Sequence, residues 1–183
     1  MISKSFAIFG TLTLLSAVAD TGSGAQAQTA PMALRGKSVI VAWIEDRSLR
    51  AVGETSFRDV RNTFSKNIYI STEGRPFQRL TVTGGAHAAA SEGSVGATGE
   101  NYQVRFQGHS LEMTGGLSSG ARRIVVTFND NHTSCEARVV TAKPAGAELL
   151  RIKSLVSGRL FEIRSTSVSD TTCTMREGNV FGQ

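Results

Sequence analysis

The stretch that most constrains the fold is YQVRFQGHSLEM, residues 102 to 113. Successive side chains of an extended chain point to opposite faces, so Tyr102, Val104 and Phe106 share one side and Gln103, Arg105 and Gln107 the other. Gly108-His109 fits a two-residue turn with glycine first, and Leu111 and Met113 return along the same apolar face. This is a half-buried hairpin, polar side out.

The same rhythm fills the chain from Lys37 onward: runs rich in Val, Ile, Phe and Thr, broken about every eight to twelve residues by Gly, Asn, Asp, Ser or Pro. RRIVVTF turns Ile124, Val126 and Phe128 inward, and CEARVV does the same with Cys135, Ala137 and Val139. SVIVAWI, residues 38 to 44, is apolar on both parities, as a strand covered on both faces would be. Glu45, Asp46, Arg47 and Ser48 read as a turn, and FRDVRNTF, residues 57 to 64, has Phe57, Val60, Arg61 and Phe64 at helical spacing. The expected fold is all-β: an antiparallel meander closing into a barrel or sandwich of about nine or ten strands, with at most one short helix. Closure would remove the exposed edges that invite aggregation.

The first residues carry Lys4, then an apolar run from Phe6 to Ala19, then small and polar residues, the layout of a secretory signal peptide. That run of about fourteen residues is short of the roughly twenty that a helix needs to cross a bilayer, so no transmembrane segment is expected once it is removed. Two small-x-small sites compete, ending at Ala19 and Ala27, and the polar stretch before the second favours it. The expected organisation is a leader over 1–27 and one β-domain over 28–183, secreted or periplasmic. Its one long loop, 84–101, is nearly all Gly, Ala and Ser, the composition of a mobile insertion or a functional lid.

Only Cys135 and Cys173 are available to pair. Both are expected to face the core, and an exported chain enters a compartment where thiols oxidise, so a disulfide is expected. That pairing would remove Cys135 from chemistry with its neighbour His132 in NDNHTSC, because a bonded sulfur is neither nucleophile nor metal ligand.

Lys and Arg total 20 against 15 for Asp and Glu; the leader takes one of each with it, Lys4 and Asp20, so the excess of +5 is unchanged. Arginine far outnumbers lysine, as bidentate contacts to carboxylate or phosphate would require and as codon bias would also produce. Export excludes an intracellular nucleic-acid role, and the charge leaves anionic polymers or an envelope surface as the partners it fits.

Several patterns bear on chemistry. GLSSG, residues 116 to 120, has the Gly-x-Ser-x-Gly form of a nucleophile elbow around Ser118, but a strand follows it where the elbow needs a helix. Gly36-Lys37-Ser38 imitates the end of a phosphate loop with Pro31 where a glycine is required, and Gly93, Gly96 and Gly99 lack dinucleotide spacing, so no cofactor is expected. His87, His109 and His132 all fall in expected turns or loops, where barrel ends bring imidazoles together, but none forms the close sequence pair that metal motifs contain, and no metal is expected. Glu112, Glu136 and Glu162 lie mid-strand, where their parity turns them outward into solvent.

The export signal, the GKSVIVAW start, the GRPFQRL turn and the paired cysteines together resemble the layout of small exported β-proteins of bacterial genomes. The resemblance implies an all-β exported domain and carries no activity. The meander and length also resemble a lipocalin, but that family's Gly-x-Trp start is absent, Trp43 following Gly36 by seven residues. The expected function is that of a non-catalytic β-domain acting as a binding or envelope-associated module. The alternatives are a hydrolase of envelope polymers and a barrel that carries an apolar small molecule. A filled interior would favour the first, a cleft with converging acids the second, and an apolar cavity the third.

Overall fold

The structure, a computed structural model, describes residues 29–83, 89–90, 102–115, 121–142, 148–153 and 158–181. Among these residues ten strands follow one 3-10 turn, Met32–Leu34, and every hydrogen-bonded neighbour is antiparallel. They are β1 (Lys37–Ala51), β2 (Arg58–Ile70), β3 (Pro76–Thr83), β4 (Ala89–Ala90), β5 (Gln103–Gln107), β6 (Ser110–Gly115), β7 (Ala121–Phe128), β8 (Cys135–Ala142), β9 (Leu150–Lys153) and β10 (Leu160–Glu177). They form a six-stranded sheet in the order β4-β3-β2-β1-β10-β9 and a four-stranded sheet in the order β5-β6-β7-β8. The all-β expectation and its strand number hold.

The two sheets meet along both sides. On one, β8 lies against β10, and Cys135 is bonded to Cys173 with the Cα atoms 5.6 Å apart. On the other, the Gln78 side chain on β3 donates to the Tyr102 carbonyl just before β5, at 3.1 Å. Between them lies the core. Val39 and Val41 of β1, Ile68 and Ile70 of β2, Leu111 and Met113 of β6, and Ile124 and Val126 of β7 are all fully buried in one cluster. The residues expected inward on β5 to β8 are inward, and Cys173 and Met175 pack against the same cluster. Gly108 has φ +55 in the two-residue turn, the left-handed region that its lack of Cβ permits.

Two local expectations are overturned. Residues 57 to 64 are not a helix: β2 begins at Arg58 and pairs with β1 from Leu49↔Arg58 to Ser38↔Tyr69. Val60 and Phe64 are four apart, a spacing that suits both periods, and the unbroken ladder to β1 selects the strand. Nor do Glu45 to Ser48 form a turn. They continue β1, which runs fifteen residues to Ala51 before the chain reverses at Val52-Gly53. Residues 38 to 44 are the centre of the larger sheet, flanked by β2 and β10; Val39, Val41 and Trp43 are buried and the alternate Ile40, Ala42 and Ile44 half-buried.

Of the expected 84–101 loop only residues 89 and 90 are described, and they pair with Val82 and Thr83; the rest lies outside the described residues. Residues 1–27 lie outside them too. No helix among the described residues is long and apolar enough to cross a membrane.

Candidate functional site

Because β1 does not turn, its inward alternation runs on past the apolar residues: Val39, Val41, Trp43, then Glu45 and Arg47. Glu45 is fully buried. Its Oε1 accepts hydrogen bonds from Trp43 Nε1 and Arg122 Nε, each at 2.8 Å. Its Oε2 accepts from Arg47 Nε at 2.8 Å, from Arg47 Nη2, and from Arg122 Nη2 at 3.3 Å. Arg122 enters from β7, so this carboxylate ties the two sheets together. Phe64 completes the group, stacked on Trp43 with centroids 5.2 Å apart, while the guanidinium carbons of Arg122 and Arg47 lie 4.5 and 5.2 Å from its ring centroid. Such contacts hold a desolvated guanidinium against the electron-rich ring face.

Burial pushes the Glu45 carboxyl up, but the charges of Arg122 and Arg47, with the hydrogen bonds from Arg122 and Trp43, outweigh it and hold the group below the usual carboxylate range. An ionised carboxylate with both oxygens taken up by donors has no lone pair to offer a metal or a substrate proton. The group is a brace. It also divides the interior: beyond it a second, smaller cluster gathers Leu49, Ala51, Phe161 and Ile163, with Val60 and Leu150 packed against them.

The outer face at that far end of the larger sheet is built of arginine and aromatic side chains. Arg50, Glu162 and Arg151 pair directly across β1, β10 and β9. Each arginine bridges Glu162, at 3.0 Å, and the Glu162 side chain is only 9% exposed. The hydrogen bond from Arg50 and that from Arg151 hold the Glu162 carboxyl below its ordinary range against the opposing effect of burial. The outward parity expected for Glu162 is right, but two guanidinium groups cover it where solvent was expected. Beside this row Phe57 lies between Arg50 and Arg164, with guanidinium carbons 4.5 and 4.8 Å from its ring centroid. Arg164 also donates to Ser48 Oγ, and Arg159 pairs with Glu54 at 3.4 Å.

The residues singled out from sequence are dispersed. Ser118 and His87 lie outside the described residues, Ser118 between the paired strands β6 and β7. His109 and His132 do meet, at the opposite end of the molecule, with ring centroids 5.1 Å apart and Phe128 against His132. His132 is buried in a left-handed conformation, φ 52, at the end of a turn in which its N–H donates to the Asn129 carbonyl. No group of three or more His, Cys, Asp or Glu arranged for a metal occurs among the described residues. Cys135 is held in the disulfide. Glu112 is paired with Arg123 at 2.8 Å on the outer face of the smaller sheet, and Glu136 is exposed there. Glu136 lines a shallow open groove across β7 and β8 with Arg123, Val125, Thr127, Arg138 and Val140.

No protein-family model matches the chain, and neither a curated protein nor a solved structure is matched by it.

Proposed function

We propose that this chain is an exported, non-catalytic β-domain that acts through its outer surface as a binding or envelope-associated module. The observation that carries this reading is the packed core among the described residues. Fully buried Val, Ile, Leu and Met side chains lie between the sheets in one cluster with Trp43 and Phe64, beside the Glu45 brace. Residues 1–27 are the leader removed on export, and the disulfide is of the kind that persists outside a reducing cytoplasm. Recognition then falls to the surface, where arginine supplies the commonest charge and planar, bidentate donors for carboxylate or phosphate.

Trp43 is the sole tryptophan and is stacked on Phe64 in the interior, so its emission reports on anything entering between the sheets. Titrating the exported protein with a long-chain fatty acid is expected to leave that emission unchanged. Fractionation of the producing cells is expected to find the protein with the envelope. A saturable change in emission would overturn the reading in favour of a carrier of apolar small molecules, and protein confined to the cytoplasm would overturn export.

A further inference from the structure

Resting on the envelope-associated reading, we propose that the far end of the six-stranded sheet docks on an anionic lipid surface, with Val52 and Leu160 entering it and Arg50, Arg151, Arg159 and Arg164 meeting its phosphates. Val52 and Leu160 are 47% and 42% exposed, two of the four large apolar residues left open among the described residues. They are neighbours: the Val52 N–H donates to the Leu160 carbonyl at 3.0 Å, one step beyond the Ala51↔Phe161 pair.

By alternation the two lie on the same face as Arg50, Glu162 and Arg164, and Arg159, just before β10, stands at its edge over the Phe161 ring. Two residues of strand separate the rows, about 7 Å at the usual rise per residue. Apolar side chains of surface-bound elements enter the boundary between headgroups and acyl chains by roughly 5 to 10 Å, so a guanidinium row set back by that distance sits at the headgroup phosphates.

The local charge has the required sign. Arg58, Arg151, Arg159 and Arg164 are exposed at this end against exposed Glu54, Asp59 and Glu148, and Glu162 is covered by the arginines that it aligns. Phe57, held between Arg50 and Arg164, fixes both guanidinium groups in place, so little side-chain freedom is lost on docking.

The test is co-sedimentation of the exported protein with vesicles of phosphatidylcholine alone and of phosphatidylcholine with phosphatidylglycerol, at low and high salt. Binding is expected only to the anionic vesicles and should weaken as salt screens the arginines. R151Q/R159Q should weaken it by about twenty-five-fold, taking roughly fivefold for each arginine at an anionic surface. V52S/L160S should weaken it at unchanged charge. R151Q leaves Glu162 bridged by Arg50 alone, so the unfolding midpoint of each double variant is measured to show that it is folded at the assay temperature, and the salt dependence of the unmodified protein tests the idea without any variant. Equal binding to both vesicle types, no binding to either, or binding untouched by both double variants would overturn the proposal. Capture by a soluble polyuronate with no vesicle binding would overturn it too. Absence of vesicle binding by a protein that still fractionates with the envelope sinks only this docking mode, whereas loss of envelope association sinks the reading beneath it.

Discussion

Replacing Glu45 by Gln tests the brace most directly. The substitution keeps the shape of the side chain and removes the charge that both Arg47 and Arg122 bridge, in a residue that is fully buried. It weakens five hydrogen bonds, four of them from guanidinium groups. Breaking a buried ion pair from one side costs about 3 to 5 kcal/mol, because the partner charges stay desolvated. With a urea dependence of about 2 kcal/mol per molar for a domain of this size, the unfolding midpoint should fall by roughly 1.5 to 2.5 M. The triple variant E45L/R47M/R122M should recover most of that loss, since apolar replacement of a whole buried ion pair is often neutral or stabilising by about 1 to 4 kcal/mol. Recovery should be incomplete, because Trp43 Nε1 then loses its acceptor. The Glu45→Gln variant also has a pH signature. The folded-state value of Glu45 lies below its unfolded one. The stability it contributes is therefore fully present above the unfolded carboxyl value of about 4.3 and is lost as pH falls through the lower folded value. The E45Q stability curve should approach that of the unmodified protein only in acid, as pH falls below about 4.3 and through the lower folded value at which Glu45 takes up its proton. A midpoint loss under about 0.5 M at neutral pH, or a difference between the two proteins that does not shrink in acid, would refute the argument.

Three further outcomes are expected. Reducing the Cys135–Cys173 bond, which closes a loop of sequence separation 38, should cost about 4 kcal/mol and lower Tm by roughly 8 to 16 °C, and two free thiols titrating in the native protein would contradict the pairing. Gly115→Ala would put a Cβ 2.7 Å from the Tyr102 Cα, a backbone atom that cannot swing aside, so about 1 to 3 kcal/mol should be lost, and an unchanged Tm would show that β6 and the Tyr102 backbone separate freely. Mass spectrometry of the exported protein should give an N-terminus at Gln28, and recovery of the Phe6 to Ala19 segment in mature material would refute cleavage there.

Alternation alone was enough to assign the inward faces of β5, β6, β7 and β8, because each has one wet face and one dry face and a period of two survives any detail of packing. It also turned Cys135 and Cys173 inward, and with only two cysteines in an exported chain the expected pairing is the one found. The same rule, carried two residues further along β1, would have turned Glu45 inward. The run Glu-Asp-Arg-Ser hid this, because charged residues in sequence signal solvent unless their partners are known, and Arg122 lies on another sheet 77 positions away. Tertiary structure alone decided that the carboxylate could be buried, since only two guanidinium groups and an indole N–H arriving together offset its desolvation. It likewise decided β2, where Val60 and Phe64 fit both periods and the ladder to β1 broke the tie. The arginine face was visible in the sequence only as an excess of one residue type. Arg50, Arg151 and Arg164 come from three strands, and Phe57 from the turn between β1 and β2. What gathers them is cross-strand register, a property of the paired chain that no single segment carries.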